Sequence, residues 1–174
     1  HPPGVNDVIR GYQQANLLAD RDDDRRVGIQ QVVLGLGGVR RIVAPNPSMM
    51  TGPGTNTYLL GDAEVAVLDP GPAIPAHIDA ILAAAGDRIR WIVCTHTHPD
   101  HMVGHQPLMD HTGAAHLDSH ALSKANELVL EGRKIRVYQT PGHTKDSVVF
   151  YTADALLTGD TLFNGNVGSC FSGG

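Results

Sequence analysis

Four residues able to hold a metal ion or move a proton fall within six positions: His96, His98, Asp100 and His101. Residues two apart on an extended turn point the same way, so His96 and His98 can face one ion. Asp100 and His101 then turn toward an adjacent position. His143 stands at a glycine turn further on, and Asp160 follows another apolar segment. Imidazole and carboxylate donors suit zinc, and also iron or manganese. Neutral imidazole gives one ring nitrogen to a metal, and its other N–H then needs an acceptor. A carboxylate such as Asp160 could bridge two cations about 3.5–4 Å apart, the spacing of two-metal hydrolytic sites.

The other histidines carry less. A lone loop histidine is more often a surface or capping residue, which is the expectation for His77, His111, His116, His120 and His1. His105, four residues beyond His101, is expected in a supporting or surface role. Cys94 ends an apolar segment and reads as a packing residue; Cys170 lies in a glycine-rich tail, where a ligand role is not favoured. No serine–histidine or cysteine nucleophile motif competes with the metal chemistry.

The elements that must position these residues are mostly short strands. A helix is expected over Val5 to Asp20, followed by the charged linker Asp20–Arg26. Val32–Leu34 and Val39–Val43 read as strands, and Asn46–Gly54 as a proline- and glycine-punctuated loop. Thr57–Leu60 and Val65–Leu68 flank Gly61-Asp62 as a hairpin. Ile74, Ile78, Ile81, Leu82 and Ala85 share a helix face that Gly86 closes. Arg90–Cys94 is a nearly continuous apolar run, expected to be a strand buried on both faces, and it delivers the chain into Thr95–His101. One helix is expected over His101–Thr112, then a strand near Ala114–Leu117. Glu127–Leu130 and Lys134–Gln139 form a second hairpin signal; Ser147–Tyr151 and Ala155–Leu157 read as strands.

With 41% hydrophobic and 18% charged residues, the chain of 174 residues has the composition of a folded domain. Thirteen basic against eighteen acidic side chains leave a formal charge of −5, which does not favour a nucleic-acid partner held by charge. Two cysteines make no disulfide scaffold and suit a reducing compartment. No apolar run approaches the roughly 20 residues of a membrane span, and the first ten residues lack the order of a signal peptide. The expectation is a soluble, cytoplasmic protein with no membrane partner.

The string His96-Thr97-His98-Pro99-Asp100-His101 resembles the HxHxDH signature of the metallo-β-lactamase superfamily. The likeness extends to Asp69-Pro70-Gly71, to Thr140-Pro141-Gly142-His143-Thr144 and to Thr158-Gly159-Asp160-Thr161-Leu162-Phe163, in the family's order. The resemblance implies an α/β fold, the αββα sandwich, with a dinuclear metal site at one edge. It implies that His96, His98 and His143 hold the first metal, that Asp100 and His101 serve the second, and that Asp160 bridges. Asp69 matches an acidic residue that supports the ligands from behind. A full member has a further histidine after the Gly-Asp motif; beyond Asp160 this sequence has none. The expectation is residues 1–28 as an N-terminal helix and linker, and 29–174 as a C-terminally truncated metallo-β-lactamase-like domain. Its incomplete second half, with an unpaired edge, would favour self-association.

The chemistry implied is hydrolysis by a metal-bound hydroxide, with Asp100 orienting the water and accepting its proton. Zinc is the expected metal, two ions in a complete site, with iron as the alternative. Gly159–Phe163 with Gly165–Gly168 is similar to the glyoxalase II type, which acts on acyl-glutathione thioesters. Pro45–Pro47 with Gly54–Leu59 is similar to β-lactamase-like proteins related to endoribonucleases. The leading expectation is hydrolysis of a small-molecule thioester or ester. The alternatives are an endoribonuclease-type phosphodiester hydrolase, a mononuclear-iron persulfide dioxygenase and an inactive metal-binding fragment.

Overall fold

Period-two alternation and tight turns build the first sheet. The computed structural model describes residues 32–34, 38–153, 155–163 and 165–170. The helix expected over Val5–Asp20 and the linker after it lie outside the described residues. Strands β1 (Val32–Leu34), β2 (Val39–Val43), β3 (Asn56–Leu60) and β4 (Val65–Leu68) run antiparallel in sequence order. Helix α1 (Pro75–Ala85) then carries the chain over the sheet to β5 (Ile89–Val93), which pairs parallel to β4. A second crossover, α2 (Pro99–Met102) and α3 (His105–Thr112), leads to β6 (Ala115–His116), parallel to β5.

Helix α4 (Ser119–Ala125) precedes an antiparallel sheet of β7 (Glu127–Leu130), β8 (Arg133–Gln139), β9 (Val148–Tyr151) and β10 (Leu156–Leu157), ordered β10-β9-β8-β7. A small hairpin, β11 (Leu162–Phe163) and β12 (Asn166–Val167), follows.

Alternation along the strands makes two cores. Ala66, Leu68 and Val93 point between the sheets and meet Leu128, Ile135, Val137, Val148 and Phe150. Val65, Val67 and Ile92 point the other way, against Ile78 and Ile81 of α1 and Leu108 of α3. Phe150, Leu59, Ile81 and Ile92 are withdrawn from water entirely, and each such side chain contributes about 1.5–3 kcal/mol. Glu131, at the β7–β8 turn, accepts hydrogen bonds from the backbone N–H groups of Asp62, Ala63 and Glu64, latching one sheet's hairpin to the other's.

Three local expectations change. The helix expected over His101–Thr112 is two helices, because Gly104 donates its N–H to the Gly71 carbonyl at 2.7 Å and breaks the run there. β5 is buried on both faces at Ile92 and Val93, as expected, but not at its start: Arg90 is exposed, Trp91 is half-buried, and the Arg90 guanidinium stacks 5.0 Å from the Trp91 ring. Helix α4 was not anticipated; Asp118 caps it by accepting from the Ala121 N–H at 2.7 Å, and Asn126 closes it in the left-handed conformation.

Candidate metal centre

Parallel pairing of β4 and β5 delivers both strands to the same edge of the sheet, and the chemistry-bearing residues follow directly. Asp69, just past β4, has a φ of 52°, which a non-glycine residue adopts only when held there. Thr95, past β5, does the holding: its N–H and hydroxyl donate to the Asp69 carboxylate at 2.6 and 2.8 Å. The same carboxylate lies 2.9 Å from His101 Nδ1. The Gly71 N–H donates to the His101 carbonyl at 2.9 Å, fixing the end of α2 against the loop after β4. The second sheet joins where the Val148 N–H donates to the Thr95 carbonyl at 2.8 Å, placing the turn that bears His143 beside the first loop. Asp160 stands on a single 3-10 turn, Gly159–Thr161, after β10. Gly159, at a φ of 49°, packs on Thr95 so closely that a Cβ would overlap its hydroxyl.

Three ring nitrogens converge. His96 Nε2 and His143 Nε2 each lie 3.1 Å from His98 Nδ1. A tetrahedral ion with zinc–nitrogen bonds of 2.0–2.1 Å sets its ligand nitrogens about 3.3 Å apart, so the cluster has nearly the size of one metal's donor set. A second group, His96, His101 and Asp160, also brings its donor atoms together. Asp160 spans the two groups, Oδ1 being 3.3 Å from His101 Nε2 and Oδ2 3.5 Å from His143 Nε2. Asp100 stands at the rim, half-exposed, with Oδ2 3.7 Å from His101 Nε2 and outside both groups.

Electrostatics treat the two histidine groups differently. Burial pushes His96 down to about 4, helped by the neighbouring His101, so its ring is neutral and available as a ligand at pH 7. Burial acts on His101 the same way, but Asp69 and Asp160 on its two sides outweigh it and raise the ring to about 10. In the metal-free protein His101 is an imidazolium clamped between two carboxylates. Burial opposes the charge of Asp160, yet the hydrogen bond and charge of His101, with His96 and His143, hold it below the usual carboxylate range.

Elsewhere the histidines divide. His111 and His120 are exposed, bonded to the Pro107 carbonyl and to Gln139 respectively. His105 bonds the Met102 carbonyl, and its ring lies 4.9 Å from that of His116. His77 contradicts its surface expectation: it is 2% exposed on α1, with Nε2 2.9 Å from Thr57 Oγ1. Cys94 is buried and Cys170 exposed, neither in a disulfide. Sequence reasoning did not single out Asp146, whose carboxylate is hydrogen-bonded by Thr97 and Thr144 and so ties the two histidine loops together. Its only signal was adjacency to His143.

Residues 50–122 match the family model described as the metallo-beta-lactamase superfamily. The hydroxyacylglutathione hydrolase of Anaeromyxobacter dehalogenans is 40% identical over 131 residues, covering 68% of this chain and 50% of that protein. The Drosophila melanogaster protein named beta-lactamase-like protein 2 homolog is 34% identical over 156 residues, 74% of this chain and 51% of its own. The crystal structure of ETHE1 from Myxococcus xanthus superposes with a TM-score of 0.59 at 24% identity, over 75% of this chain and 60% of that one, a likeness of fold. The chain thus spans about half the length of the curated relatives it matches. The matching family model and relatives 34–40% identical show that the chain belongs to the metallo-β-lactamase superfamily, and the ETHE1 structure shares its fold.

Proposed function

We propose that this chain carries the metal site of a hydrolase acting on a small-molecule thioester or ester. The observation that carries it is Asp160, whose two oxygens reach toward His143 on one side and His101 on the other. In this proposal His96, His98 and His143 hold one ion, Asp100 and His101 serve a second, and Asp160 bridges them. Zinc is the proposed metal, because imidazole and carboxylate donors at this spacing suit it; the same donors also accept iron. Metal ions bound there supply Lewis acidity and lower the pKa of water toward 7. The half-exposed Asp100 is the proton acceptor that can both reach the site and pass its proton to solvent. Asp69 holds His101 from behind, and Asp146 keeps the two histidine loops in register. The thioester substrate class rests on the relatives named hydroxyacylglutathione hydrolase. Two free cysteines accord with a cytoplasmic location.

The test is elemental analysis of protein purified without chelator, followed by assay of the zinc-loaded chain on acyl-glutathione. About two zinc ions per chain and turnover abolished by His96→Ala support the proposal. One iron per chain, or zinc loading without thioester turnover, overturns it.

A further inference from the structure

The β11–β12 hairpin carries the chain away from Asp160 and straight back across it. Leu162 pairs with Val167, so Gly168 returns against the residue from which the hairpin departed. Gly168 is buried while Asn166, Val167, Ser169 and Cys170 around it are exposed. A Cβ at Gly168 would overlap the Asp160 carbonyl oxygen and come within 3.1 Å of His143 Nδ1. The next residue makes the bond that this close approach permits: the Ser169 carbonyl oxygen lies 2.7 Å from His143 Nδ1. A carbonyl can only accept, so Nδ1 carries the proton, and in the neutral ring Nε2 keeps its lone pair. That lone pair belongs to the nitrogen 3.1 Å from His98 Nδ1, the one aimed into the cluster.

We propose that Gly168 and Ser169 are positioning residues, a backbone strap that fixes the ring tautomer of His143 and the backbone of Asp160 together before any ion arrives. Acting through the main chain, the strap depends on the absence of a side chain at Gly168 and not on the hydroxyl of Ser169. Partners of this kind on ligand histidines affect metal affinity by about 10–100-fold when lost. The inference rests on the metal-site proposal above, but one of its readouts needs no metal.

The experiment compares wild type, Gly168→Ala and Ser169→Ala. Imidazole nitrogen NMR of the metal-free proteins at mildly alkaline pH reads the His143 tautomer, and titration with zinc reads affinity. The strap predicts an Nδ1–H tautomer in wild type and in Ser169→Ala. It predicts mixed tautomers and roughly 10–100-fold weaker zinc binding in Gly168→Ala. A wild-type His143 protonated on Nε2 overturns it, as does a folded Gly168→Ala variant that keeps both tautomer and affinity. If Gly168→Ala fails to fold, the wild-type tautomer decides. A wild type with the Nδ1–H tautomer and no zinc binding would support the strap and overturn the metal-site proposal alone.

Discussion

The proton on His101 is the first obstacle to a metal at that position. Held at about 10 by Asp69 and Asp160, His101 must lose its proton before it can donate to a metal. Zinc uptake at the second position is therefore expected to release about one proton per chain from that group near neutral pH, read by titration calorimetry in buffers of different ionisation enthalpy. Uptake without proton release would contradict the clamp. Two pH slopes follow for the metal-free protein. His101 is raised in the folded state, so its contribution is complete below about 6.5 and is lost as pH rises through about 10. His77 runs the opposite way. Its folded value is lowered to about 4 by burial, against the pull of the Pro70 carbonyl, so stability is lost as pH falls from about 6.5 to 4. The loss is on the order of 3 kcal/mol. Thr57 Oγ1 gives its proton to the Asp69 carbonyl at 2.6 Å, so the neutral His77 ring must donate to Thr57 through Nε2–H. Denaturation of His77→Gln across this range should show a shallower acid slope than wild type, with His96 leaving a residual one.

Elements decide how firmly the residues are held. α4 was missed because its seven residues carry almost no apolar stripe, and the cap at Asp118 is its strongest local signal. Its Ser119 hydroxyl bonds the Cys94 carbonyl, joining the helix to the end of β5 where the histidine loop begins. Asp118→Ala should cost about 1 kcal/mol in chemical denaturation. Zinc affinity should stay within a few-fold, since the helix reaches the start of the histidine loop through the Ser119 bond to the Cys94 carbonyl, which this substitution leaves in place. A larger loss of affinity would show that α4 holds the loop more directly. The break between α2 and α3 comes from a tertiary contact, Gly104 against the loop after β4, which no local pattern in His101–Thr112 announces.

At the scale of the whole molecule, stability and site geometry share one core. Phe150 lies fully buried between the sheets, on the strand whose first residue bonds Thr95. Phe150→Ala should destabilise by about 3–5 kcal/mol and loosen the facing of the two sheets, so zinc affinity should fall with it. Unchanged affinity would show that the loops hold the site without the core. Among the described residues no helix is long and apolar enough to cross a membrane. The sequence determined strands β1 to β10, α1, both main hairpins and the HxHxDH loop, because alternation, glycine turns and ligand spacing are local properties of the chain, but not the β11–β12 hairpin. It also marked His143 and Asp160, through glycine turns and a family resemblance. Only the tertiary structure decided that these residues meet, that Asp160 faces both histidine groups, that His77 is interior and that Ser169 meets His143. Those facts depend on helix packing on sheet and sheet on sheet, which brings together residues 20 to 64 positions apart that no local periodicity relates.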